Sequence, residues 1–191
     1  MRKLVTLALV AVFAACSSDS EAGNAGVLTD RTSYPIESYG LTAGSILAPL
    51  TFQNPDGSVF SLDADVFKDS HNRVLLITTT AGWCGACKEE QPKLVALYKQ
   101  YADAGLEMVS ALFEDDNGDP ATGAQAAAWK DRYKLPFPVV TDQPFVLSNY
   151  YDETLTPLNM VVDVDTMEIL LVTTGFNETL LRSVIEANLD L

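Results

Sequence analysis

Two cysteines three positions apart, in Trp83-Cys84-Gly85-Ala86-Cys87, are the residues here whose type and spacing can do chemistry. A thiolate attacks a disulfide and leaves from one, so a close cysteine pair can exchange electrons with another dithiol. Such a pair reacts where its thiolate is favoured. A cysteine at the first turn of a helix faces unpaired backbone N–H groups and the positive end of the helix dipole. Those surroundings lower a thiol pKa from about 8.5 to roughly 3.5–7.5. Cys84 comes first and is expected to be the more exposed, attacking thiol. Cys87 follows one helical turn later and is expected to resolve the mixed disulfide. Glu90, three residues beyond Cys87, shares its helix face and can accept its proton.

The flanking elements suit this placement. The continuous apolar start of Val74-Leu75-Leu76-Ile77-Thr78-Thr79-Thr80 predicts a strand covered on both faces. After the motif, Leu94, Leu97, Tyr98 and Tyr101 recur at helical spacing. Pro92 falls inside that helix and is expected to kink it. Strand, turn and helix, with two cysteines at the turn, is the layout of a redox-active Cys-x-x-Cys.

Other chemistry competes for the same residues. A structural zinc needs two more ligands, and outside the pair only Cys16 and His71 remain. His71 lies in the Asp69-Ser70-His71-Asn72 loop and is expected to be solvated. A static disulfide rarely spans two residues behind a tryptophan. The acidic run Glu114 to Pro120 lacks the register and the distant glutamate of an EF-hand, and reads as a solvated loop before a helix. No metal or other cofactor is expected.

The motif, with Glu90, Pro92-Lys93-Leu94 and the distant Thr156-Pro157, resembles the thioredoxin superfamily. It is most similar to membrane-anchored thiol–disulfide oxidoreductases of the TlpA/ResA type, with overlap toward the redoxin (AhpC/TSA-related) branch. The match runs from about Leu47 to the C-terminus. Thioredoxin carries a buried aspartate six residues before its first cysteine; that position here is Thr78. TlpA/ResA-like proteins often place a glutamate three residues after the second cysteine, which matches Glu90. The resemblance implies a thioredoxin-like three-layer α/β fold with a central mixed sheet flanked by helices. It also implies a cis Thr156-Pro157 bond opposite the cysteines. The Thr156 backbone would then pair with an extended substrate segment, while Trp83 and Pro157 shield the sulfurs on either side.

Leu50 to Leu62 reads as an N-terminal β-hairpin turning at Asn54-Pro55-Asp56-Gly57. Asp63 to Phe67 reads as a helical turn, Leu106 to Phe113 as a second core strand and Ala121 to Tyr133 as a helix. Phe137 to Asp142 and Phe145 to Tyr151 form a βα insertion before the proline, similar to the redoxin branch. Leu158 to Val164 and Ile169 to Thr174 are antiparallel neighbours, and Asn177 caps a helix over Glu178 to Asn188. Met108, Met160 and Met167 are expected to fill core.

The 191 residues suffice for one domain and a leader. Met1-Arg2-Lys3, an apolar Leu4 to Phe13 and Ala14-Ala15-Cys16 read as a secretory signal over residues 1–15. Phe13-Ala14-Ala15-Cys16 resembles a bacterial lipobox, which implies a lipid on Cys16. Cleavage near Ala15 without lipid, and an uncleaved anchor, are the alternatives. Residues 16–33 are then the lipidated cysteine and a flexible tether, and residues 34–191 the thioredoxin-like domain. In a host with two membranes, Ser17 resembles the outer-membrane sorting pattern. The net charge of −14 disfavours nucleic acid as a partner. Without Arg2 and Lys3 the balance is 10 basic against 26 acidic residues, or −16.

The expected function is reduction of protein disulfides outside the cytoplasm through Cys84 and Cys87. Its partners would be protein thiols and disulfides, the membrane through lipid on Cys16, and a membrane-linked electron donor implied by the resemblance. A thiol peroxidase is the second reading. Peroxiredoxins keep a proline and a Thr or Ser before the reactive cysteine, and those positions here are Ile77 and Ala81. The third is a metal-carrying or binding lipoprotein, although copper chaperones of the superfamily usually have wider cysteine spacing and a later histidine.

Overall fold

The protein is described by a computed structural model covering residues 31–36, 38–189 and 191. The expected signal segment, Cys16 and most of the tether lie outside the described residues.

Seven strands form one mixed sheet in the order β2-β1-β5-β4-β3-β6-β7. The hairpin is β1 (Thr51–Gln53) and β2 (Val59–Ser61). Gly57, at φ +87°, supplies the left-handed residue of its turn. A short π-type helical segment, Leu62–Phe67, follows. All eight residues of β3 (Val74–Ala81) are buried, which is why that stretch begins as a continuous apolar run. Helix α1 (Gly85–Tyr101) crosses to β4 (Leu106–Glu114), which pairs parallel to β3. Gly105, at φ +108°, makes the turn between them, where a side chain would meet the His71 carbonyl oxygen at 2.8 Å.

Helix α2 (Gly123–Tyr133) starts at a capping box between Thr122 and Gln125. The expected insertion appears as β5 (Val139–Thr141) and a 3-10 segment, Val146–Tyr150. Strand β5 pairs with both β4 and β1, tying the hairpin to the central strands. Strands β6 (Leu158–Asp163) and β7 (Ile169–Thr174) complete the antiparallel edge. Asn177 caps α3 (Glu178–Asn188).

Alternation along the strands divides the core in two. Val74, Leu76, Met108 and Val161 meet Leu94, Leu97, Leu181 and Ile185 from α1 and α3. Leu75, Ile77, Met160 and Val162 face the other side, against Leu62, Val66, Leu147 and Met167. Met108, Met160 and Met167 are fully buried, as core filling requires. Arg31 already belongs to this body, since its guanidinium reaches Asp165 and the carbonyl oxygens of Phe67 and Asp69. Among the described residues, no helix is long and apolar enough to cross a membrane.

Candidate redox site

Cys84 is the N-cap of α1, and its Sγ accepts the Cys87 backbone N–H at 3.0 Å. The two sulfurs are bonded to each other, with Cα atoms 5.3 Å apart. Cys84 retains 4% exposure and Cys87 none, so the first cysteine is the more accessible, though only just. The indole of Trp83 is 48% exposed beside them. Its N–H donates to Glu114 Oε2 at 2.7 Å, which holds the ring against the acidic loop.

The end of β3 explains what packs against the pair. Thr80 lies opposite Leu112 and Ala81 opposite Glu114, so Phe113 is an extra residue in β4. Such a bulge re-aims the side chain it carries. Phe113 packs against Ala81, Cys84 and Cys87, and Phe145 stacks on it with ring centres 3.9 Å apart. Trp83 meets the Phe113 ring edge-on at 6.2 Å, and Tyr151 meets Phe145 at 6.3 Å. This aromatic wall beside the disulfide was not legible in the sequence. Its two central rings lie 32 positions apart, and only the bulge and the loop before Val146 join them.

Gly82 leaves no room for a side chain. A Cβ there would lie 2.5 Å from the Asp116 backbone nitrogen, so the acidic loop seats directly behind the motif. Asp115 accepts the backbone N–H groups of Asn117 and Asp119 and the Gln125 amide, which explains its acidity as loop architecture. Those hydrogen bonds hold its carboxyl below the usual range. Lys88 reaches Asp116 at 3.4 Å. His71 is exposed, with Nε2 at 3.0 Å from the Ala102 carbonyl. Among the described residues, no group of three or more His, Cys, Asp or Glu side chains is placed to hold a metal.

Glu90 lies beneath the disulfide on α1 and is 1% exposed. Thr78 Oγ1 donates to its Oε1 at 3.0 Å and Asn159 Nδ2 to its Oε2 at 3.2 Å. Burial pushes its carboxyl up to about 7, against the opposing pull of those two donors and of Lys93. Thr78, the position where an aspartate was missed, is therefore in direct contact with the carboxyl. Asn159 was not anticipated. Its only signal is a polar residue two places after Pro157 in a buried strand.

Thr156-Pro157 is cis. Pro157 precedes β6, whose register against β3 carries it toward the Thr80 end of that strand. Thr156 closes a local turn. Its N–H turns back to the Glu153 carbonyl at 3.3 Å, and its hydroxyl donates to the same oxygen at 2.8 Å. Tyr151 braces the segment, with its hydroxyl 2.7 Å from Thr156 Oγ1 and 3.1 Å from Thr79 Oγ1. The expected outward backbone is thus partly committed inside the protein.

Residues 43–167 match the profile of the AhpC/TSA family. The thioredoxin-like protein YneN of Bacillus subtilis is 30% identical over 100 residues, covering 51% of this chain and 56% of that protein. A probable phospholipid hydroperoxide glutathione peroxidase of Mesembryanthemum crystallinum is 32% identical over 41% of this chain and 45% of its own length. The thiol–disulfide oxidoreductase ResA of Bacillus anthracis is 26% identical over 51% and 53%. The chain thus spans about half the length of the curated relatives it matches. The thioredoxin domain of a Bacteroides vulgatus thiol–disulfide oxidoreductase superposes with a TM-score of 0.61 at 18% identity, over 78% of this chain and 99% of that one. The fold is thioredoxin-like, and by the family profile that spans most of its folded part, this chain belongs to the AhpC/TSA family.

Proposed function

We propose that the protein is a thiol–disulfide oxidoreductase that reduces protein disulfides outside the cytoplasm. The observation that carries this reading is a Cys84–Cys87 bond at the mouth of α1 with the Glu90 carboxyl buried one turn below Cys87.

In the reduced protein, the N–H of Cys87 and the helix N-terminus favour the Cys84 thiolate. That thiolate attacks one sulfur of a client disulfide. A mixed disulfide forms, and the client's other sulfur leaves as a thiolate. Cys87 then gives its proton to Glu90 and attacks Cys84 Sγ. The Cys84–Cys87 bond forms, the mixed disulfide breaks, and the client keeps two thiols. Two electrons pass from protein to client, so a second dithiol must supply them back. A membrane-linked donor fits that need by resemblance to the TlpA/ResA type. Trp83 and Pro157 flank the sulfurs in this scheme, and Thr156 pairs with the client once its N–H exchanges Glu153 for the client backbone. The leader reading adds a lipid on Cys16 and places the protein on the outer face of a membrane.

A thiol peroxidase is the second reading, favoured by the family and by the match to a hydroperoxide peroxidase. Against it, Ile77 is a buried strand residue and Ala81, packed on the cysteines, brings no hydroxyl to them. Reduction of insulin by the dithiol-reduced protein separates the two. Disulfide exchange should outrun peroxide consumption, Cys84→Ser should abolish both, and Cys87→Ser should accumulate a mixed disulfide. Peroxide consumption that outruns exchange, or a Cys84→Ser variant still active on insulin, would overturn the proposal.

A further inference from the structure

Two neutral side chains from neighbouring strands hold the Glu90 carboxyl. Thr78 on β3 and Asn159 on β6 are direct partners in the antiparallel ladder. Opposed residues of such a pair project from the same face of the sheet, here the face that α1 covers. Each takes one carboxyl oxygen, Thr78 at 3.0 Å and Asn159 at 3.2 Å. All three residues are buried.

The two grips differ in kind. The Asn159 amide nitrogen also donates to the Gly175 carbonyl at 3.1 Å. Turning the amide over would set its oxygen against both of those oxygens, so Asn159 can only donate. The Thr78 hydroxyl has a second acceptor, the Thr79 carbonyl at 3.4 Å. It can donate to an ionised Glu90, or swing its hydrogen to Thr79 and accept from a protonated one.

We propose that Thr78 and Asn159 are positioning residues that form a clamp, Asn159 fixed and Thr78 reversible. The clamp keeps Glu90 in one place whether or not it carries a proton. This rests on the proposed role of Glu90 in proton exchange with Cys87, and it adds which groups decide when Glu90 ionises. The charged neighbour is Lys93, on the same helix, with its ammonium 5.4 Å from the centre of the Phe176 ring. Cys87, also on α1, carries no charge while bonded to Cys84. Strands β3 and β6 bring only Thr78 and Asn159 to the carboxyl oxygens.

A donor to a carboxylate favours the ionised form. A hydrogen bond to a charged group is worth enough to move a pKa by about one pH unit. Asn159→Leu removes a donor that serves the ionised form, so the Glu90 midpoint should rise by about one pH unit or more. Thr78→Val removes the donor for one state and the acceptor for the other, so its rise should be smaller. Thr78→Ser should titrate like the parent.

The test is carbon-13 NMR titration of the Glu90 carboxyl in the oxidised protein, with Glu90→Gln to assign the signal. The acid limb of mixed-disulfide resolution should move in the same order. An unmoved midpoint in Asn159→Leu, or Thr78→Ser displaced as far as Thr78→Val, would overturn the clamp. If Asn159→Leu does not fold, equal midpoints for Thr78→Val, Thr78→Ser and the parent would do so. Undiminished resolution in Glu90→Gln would instead remove the proton-exchange role, and the midpoints would still decide the clamp.

Discussion

Replacing Glu90 with glutamine should make the oxidised protein more stable in mild alkali and slower in the proposed disulfide exchange. Burial raises this carboxyl from its usual 4.5 to about 7. Below pH 4.5 both folded and unfolded chains carry the proton, and Glu90 contributes no pH dependence. As pH climbs from 4.5 to about 7, the unfolded chain releases the proton while the folded one keeps it. The unfolded state then binds fewer protons, so stability falls across this window and levels off above it. At about 1.4 kcal/mol per pH unit, the full loss is on the order of 3 kcal/mol. Glutamine has the shape of the neutral acid. Its oxygen can accept from Asn159, and its amide can donate to Thr78 with the hydroxyl turned to Thr79, so most of that loss should be recovered. Urea unfolding of parent and Glu90→Gln, both oxidised, at pH 4.5 and pH 8.5 measures it. Every other titrating group is shared, so the difference between the two differences isolates position 90. A gain of about 2–3 kcal/mol at pH 8.5 is expected, with little at pH 4.5. A double difference near zero, or one in which glutamine destabilises more at pH 8.5, would refute the reasoning.

Gly82→Ala should destabilise by roughly 1–3 kcal/mol, because the added carbon must push the backbone of Asp115 and Asp116 away from the motif; a thermal midpoint unchanged from the parent would show that the loop yields freely. The expected lipid on Cys16 is checked by expressing Cys16→Ala in a bacterial host, which should move the protein from the membrane fraction to the soluble extracellular or periplasmic one. Unaltered membrane retention would sink the lipoprotein reading.

Local features were legible because they are written in adjacent residues. The buried run of β3, the Asp-Gly hairpin turn and the Asn177 cap each need only a few neighbours, and each appears where expected. Features joining distant segments were legible only in part. The spacing of Cys87 and Glu90 put them on one helix face, but the depth of Glu90 depends on how α1 lies on the sheet. Asn159 could not be paired with Glu90, 69 positions away, without the register that sets Thr78 opposite it. Phe113 read as one more core residue of β4, and only the bulge turns it onto the cysteines. Thr156 is a different case. Its outward backbone was carried over by resemblance, whereas the local turn after Asp152 claims its amide for Glu153.

Threonine rather than aspartate at position 78 has a physical consequence for the proposed reaction. A carboxyl on β3 would meet Cys87 only across the packing between sheet and helix, so its distance would change with every adjustment of that interface. A carboxyl at position 90 belongs to the same helix as Cys87, one turn away, and the helix itself fixes their relation. The sheet is then left to contribute two partners on one ladder rung, a fixed donor in Asn159 and a reversible one in Thr78. Proton transfer geometry and proton affinity thereby fall to different elements, α1 for the first and the β3–β6 pair for the second. If Glu90 is the base as proposed, changes on the two strands should retune the pH range of the dithiol without displacing it, and changes on the helix should do the reverse.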